Sequence, residues 1–103
     1  MAIEYSVYSD LGKADLERRL NDAVRSANGV WEIWSASDDL GPFHEEIMEE
    51  YGVRKGFKTR VYCRHSKDHT VQAREAMLAF FESLPGGKLL LNGDVLVAFH
   101  PKR

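Results

Sequence analysis

Apolar and polar residues change their spacing several times along the chain, and each change marks an element. Over residues 3–8, Ile3, Tyr5 and Val7 alternate with Glu4, Ser6 and Tyr8, the period of two that predicts a strand. Ser9, Asp10, Leu11 and Gly12 break the alternation and supply helix-capping types. From 13 to 27 the period lengthens: Leu16, Leu20, Ala23, Val24 and Ala27 fall on one helical face, Arg18, Asp22 and Arg25 on the other. Asn28 and Gly29 provide the stop, glycine suiting the left-handed residue after a helix. Residues 30–35, rich in aromatic and β-branched types, predict a second strand, followed by a polar loop to Pro42. Phe43, Ile47 and Tyr51 then repeat at a spacing of four, which predicts a short helix over 43–51, ended by Gly52 and a basic link over 53–56. In the third strand, 57–65, Thr59, Val61 and Cys63 alternate with Lys58, Arg60, Tyr62 and Arg64. Ser66 or Asp68 caps a long helix over 69–84, with Ala73, Ala76, Met77, Phe80, Phe81 and Leu84 as its core stripe and Pro85–Gly86–Gly87 as its end. Strands at 88–91 and 94–99 flank Asn92–Gly93, a strong short-range hairpin signal.

The resulting order, β-α-β-[short α]-β-α-β-β, predicts an α+β fold. Two interleaved βαβ units with right-handed crossovers form a ferredoxin-like split βαβ sandwich, a mainly antiparallel sheet with two long helices on one face. The other face is left open or partly covered by the short helical insert, and the last hairpin strand lies at a sheet edge. Leu89, Leu90, Leu91, Val95, Leu96 and Val97 exceed what a two-stranded edge needs. Either both faces there are covered, or the C-terminal edge strand pairs with a second copy in a homodimer.

Composition narrows the class. The 103 residues fit one domain, 1–103. The single Cys63 excludes an intrachain disulfide and suits a reducing, cytoplasmic setting. No apolar run approaches the roughly 20 residues of a membrane helix, and the first residues lack a secretory pattern, so no membrane partner is expected. The formal net charge of −2 hides a strong asymmetry. Residues 1–53 carry 12 acids and 4 bases, while residues 54–103 carry 4 acids and 10 bases. Asp38, Asp39, Glu45, Glu46, Glu49 and Glu50 crowd into 38–50 with no Lys or Arg among them. Such a run is either a solubilising excursion or a docking surface for a basic protein, where clustered charge speeds association.

Other candidate chemistry is weaker. Cys63, His65 and His69, joined by His44 or His100, are zinc-ligand types, but Cys63 is expected to face the core and has no second cysteine, so no metal site is predicted. His44, Glu45 and Glu46 are successive helix neighbours and do not face one another as a base and its partners would. Gly86–Gly87–Lys88 follows a helix rather than opening one, and no nucleophile–base constellation is present, so neither an enzyme nor a cofactor is expected. Strict alternation would place Tyr8, Glu32, Trp34, Arg60, Tyr62 and Arg64 together on the open sheet face. Of these, Tyr8, Trp34, Arg60, Tyr62 and Arg64 would make an alternative, RNA-binding surface through base stacking and phosphate pairing. Residues 55–62 partly resemble the third-strand signature of RNA-recognition motifs: Lys55, Gly56, Phe57 and Tyr62 match, whereas Lys58, Thr59 and Arg60 do not. The competing expectation is that the insert packs on these aromatics as a second small core.

Residues 1–5, Met-Ala-Ile-Glu-Tyr, and 74–97, REAMLAFFESLPGGKLLLNGDVLV, resemble the immunity half of myxobacterial swarm-inhibition (Sit-type) toxin–immunity pairs. The shared features are the first strand, a helix ending in Leu-Pro-Gly and the strand–Asn-Gly–strand hairpin. The resemblance implies a bacterial intracellular protein that binds and neutralises one cognate toxin, with no catalysis and no cofactor. The acidic 38–50 segment would suit a basic toxin.

Overall fold

The computed structural model describes residues 2–42, 44–53 and 56–101. Five strands, β1 (Glu4–Ser9), β2 (Trp31–Ser37), β3 (Thr59–His65), β4 (Lys88–Asn92) and β5 (Val95–His100), form one sheet in the order β2-β3-β1-β4-β5. Every neighbouring pair is antiparallel. Helices α1 (Lys13–Ser26), α2 (His44–Glu50) and α3 (Thr70–Ser83) complete an α+β fold. The helix count and order depart from the expectation at one point: a 3₁₀ turn over Lys67–His69 precedes α3, which therefore starts one residue late. Ser66 Oγ accepts the Asp68 amide hydrogen there at 3.3 Å, so the expected cap serves the 3₁₀ turn and not α3 itself.

Alternation explains the main core. Tyr5 and Val7 of β1, Val61 and Cys63 of β3 and Leu90 of β4 turn toward the helices and meet Leu16 and Leu20 of α1 with Met77, Phe80 and Phe81 of α3. β1, the central strand, is buried from Tyr5 to Ser9. The Ser9–Asp10 pair does not cap α1, whose N-cap Gly12 makes no side-chain bond. Ser9 Oγ accepts the Leu11 amide at 3.0 Å, and Asp10 Oδ2 accepts the Gly87 amide at 3.1 Å, tying two loops together at one end of the sheet.

A bulge overturns one expected facial assignment. Trp31 pairs with His65 but Ile33 pairs with Arg64, so Glu32 is an extra residue and the remainder of β2 shifts by one. A one-residue slip exchanges the faces of a strand. Trp34 therefore lies opposite the core residue Cys63, while Ile33, half exposed, joins the row of Arg64 on the other face.

That other face is partly covered. Tyr8, Phe57, Leu89 and Leu91 form a second buried cluster, against which Leu40, Ile47, Tyr51, Val53 and Phe99 pack. The insert thus shields the β1–β4–β5 side, the small-core alternative considered from the sequence. β5 forms one sheet edge, with Val95 and Leu96 exposed, and a second bulge between Leu90 and Leu91 offsets its register. No helix among the described residues is long and apolar enough to cross a membrane.

Candidate functional site

The spacing that builds α2 also sorts its charges. Ile47 and Tyr51, four apart, pack onto the sheet. Glu45, Glu46, Glu49 and Glu50 remain exposed, as do Asp38 and Asp39 in the preceding loop. Ser37 Oγ accepts the Asp39 amide and Asp39 Oδ1 accepts the Gly41 amide, both at 3.0 Å, so the loop is shaped by its own side chains. Gly41 has φ +80°, and a Cβ there would stand 2.9 Å from the Arg60 guanidinium. Among the described residues, none of the six carboxylates takes part in an ion pair. All six are solvent-exposed, two in the loop after β2 and four on α2.

Beneath α2 the insert leaves a cavity of about 400 Å³. Leu40, Ile47 and Leu91 give it apolar walls, and Arg60 borders it from β3. Arg60 is held in place: its guanidinium donates to Ser6 Oγ at 3.3 Å and lies 5.9 Å from the ring centres of both Tyr8 and Tyr62.

His44, the first residue of α2, joins the insert to the sheet-side aromatic cluster. Its ring stacks on Tyr8 at 5.7 Å and meets Phe57 edge-on at 6.3 Å, and its Nε2 is buried without a hydrogen-bond partner. Burial pushes the imidazole below its ordinary range, with the Glu45 carboxylate opposing. The folded insert thus binds this proton less readily than the unfolded chain. The associated stability is full above the ordinary imidazole range and is lost as the pH falls through the lowered value. Amide exchange across α2, corrected for its intrinsic rate, should report easier opening from about pH 7.5 to about pH 5.5. His44→Phe, which keeps the stacking and removes the titration, should flatten that response; an unchanged slope would assign it elsewhere.

The expected RNA-binding set does not assemble as drawn. Tyr8 is buried under the insert at 3% exposure, and burial raises its hydroxyl pKa. Trp34 lies on the helix side of the bulged strand and Arg60 borders the cavity under the insert, so half-buried Tyr62 and exposed Arg64 share the rest of the face with Ile33. The zinc-type residues are likewise apart in role. Cys63 and His65 are fully buried in the helix-side core, and His65 Nδ1 donates to the Ser66 carbonyl at 2.7 Å. Among the described residues no three His, Cys, Asp or Glu side chains are placed to share a metal ion. Burial pushes the Cys63 thiol up to about 12. A thiol that stays protonated and covered is unreactive. Iodoacetamide at about pH 8 should leave Cys63 unmodified in native protein and alkylate it at the rate of unfolding; rapid native labelling would refute this burial.

Sequence reasoning missed two residues. Lys88 reads as a polar strand start, yet it is buried at 5% exposure and spans to the end of α3. Asp94 reads as the first residue of the last strand, yet it lies in the turn before β5 and lines the cavity under α2. The alternating apolar positions of β4 fix where the hairpin goes, but nothing local says that the insert comes to meet it.

The chain thus folds as a two-cluster α+β sheet with an acidic helix and a cavity of charged and apolar walls. Residues 1–90 match the family model described as the CDI System Immunity Component. The chain belongs to that family, the immunity components of contact-dependent inhibition systems, and thus to a toxin-immunity family. The match is to this family and not to the Sit-type proteins that 1–5 and 74–97 resemble. No curated protein and no solved structure matches the chain.

Proposed function

We propose that the protein binds and neutralises a cognate toxin through the anionic face of 38–50, on a ferredoxin-like frame. Membership of an immunity family implies a toxin partner. The observation that carries the choice of surface is that all six carboxylates of 38–50 are exposed and none is ion-paired among the described residues. Unpaired like charge costs self-repulsion, which a complementary partner removes. The toxin surface is basic, and inhibition is by occupancy, without turnover. Supporting the ferredoxin-like frame, β1 and β3 are the inner strands of β2-β3-β1-β4 and β5 extends one edge.

The test is the ionic-strength dependence of association with the cognate toxin. The association rate should fall by about tenfold or more from low salt to physiological salt, while the dissociation rate changes little. A salt-independent rate would overturn the proposed surface.

A further inference from the structure

We infer that the cavity beneath α2 receives one lysine or arginine side chain of the toxin. This rests on the proposed toxin-binding role and names the contact at its centre. Glu46 and Glu50 are four apart, so they stack along one side of α2. Both line the cavity, whereas Glu45 and Glu49 do not. Asp94 enters from the turn between β4 and β5, so two segments far apart in sequence supply three carboxylates to one space. None of the three is ion-paired among the described residues. The cation that also borders the cavity, Arg60, donates to Ser6 Oγ and lies against the faces of Tyr8 and Tyr62, while its buried Nε has no hydrogen-bond partner among the described residues.

Charge and shape select the same occupant. Three carboxylates against one guanidinium leave the space anionic, so an acidic side chain is repelled and an apolar one would leave the carboxylates partly desolvated and unpaired. A long basic side chain lays its aliphatic stem along Leu40, Ile47 and Leu91 and carries its charged head to the carboxylates. The available volume, about 400 Å³, admits such a chain with water beside it.

The probe is free arginine, titrated into the intact protein while the amide resonances of Glu46, Glu50 and Asp94 are followed. Shifts saturating at about millimolar arginine are expected, with affinity reduced about fivefold or more in Glu46→Gln and in Asp94→Asn but unchanged in Glu45→Gln and Glu49→Gln. Leu40→Trp fills the cavity while keeping every carboxylate, and should abolish the shifts. Absent or non-saturating shifts, or equal losses in all four carboxylate variants, would overturn the cavity. Saturation by acetate in place of arginine would assign the space to an anion and overturn it as well. If the cavity fails in these ways while toxin association keeps its salt dependence, the anionic face stands without it; if the salt dependence is also missing, both fall.

Discussion

Reversing Glu45, Glu46, Glu49 and Glu50 to lysine is expected to abolish protection against the cognate toxin while leaving the main fold intact. Each substitution changes the charge by two, so the four carry the formal net charge from −2 to +6. The change falls on one short helix, where it would turn the attraction proposed for a basic toxin into repulsion. Steering of this kind governs association rates over about 10 to 10³-fold, and the reversal should cost at least that span. All four side chains are exposed, and none is ion-paired among the described residues, so their loss removes no packing from either cluster. Glu45 and Glu46 do lie in the first turn of α2, where a negative charge favours the helix by about 0.3–1 kcal/mol. The corresponding glutamine variants separate the effects, because they keep most of the helix while removing the field. Protection in a toxin-exposed cell, together with association rates, is the readout. Full protection by the lysine variant would exclude the 38–50 face.

Lys88→Ala should produce the largest loss of stability from a single polar residue. The Lys88 ammonium donates to the carbonyls of Phe81 at 2.6 Å and Leu84 at 2.8 Å, and stands 4.7 Å from the Phe81 ring centre. These carbonyls belong to the last turn of α3 and its C-cap, where the helix leaves acceptors unpaired and a cation is favoured. Removing the side chain strips both charge-assisted bonds and opens space beside buried Phe81. The expected cost is about 3 kcal/mol. At about 4–8 °C per kcal/mol for a domain of this size, that is a fall in Tm of roughly 12–24 °C. Lys88→Met retains the aliphatic stem and loses the ammonium, so it should cost about half as much. Urea unfolding of the two variants reads the difference. Changes below about 0.5 kcal/mol in both would show that the ammonium's desolvation cancels its bonds.

Much of the layout is written in local patterns. The alternation in Tyr5 and Val7, and in Val61 and Cys63, survives into the helix-side core, because strands with one buried face must keep their register. The stripe of Ala73, Met77, Phe80 and Phe81 likewise fixes the buried side of α3. Asn92–Gly93 marks the hairpin, and Gly93, with φ +63°, takes the left-handed conformation that such a turn requires. Two features escape that kind of reading. Glu32 is an ordinary strand residue in sequence, yet as a bulge it sends Trp34 to the opposite face and brings Ile33 beside Arg64. Lys88 looks solvent-facing because its partners are backbone carbonyls, which leave no mark in the residue pattern.

By itself the sequence determined the five strands and the α-helices between them, though not the 3₁₀ turn before α3, together with the acidic run at 38–50 and the separation of acidic and basic halves. These depend on spacing and composition along a continuous stretch of chain. Tertiary structure alone decided that the insert folds over the β1–β4–β5 side and buries Tyr8. It also decided that Asp94 shares a cavity with Glu46, Glu50 and Arg60, and that Tyr62 and Arg64 keep the rest of that face without Trp34. The reason is that each outcome requires contacts between distant segments. A single bulge or a few apolar contacts from Leu40, Ile47 and Tyr51 sets which distant surface a charged residue shares.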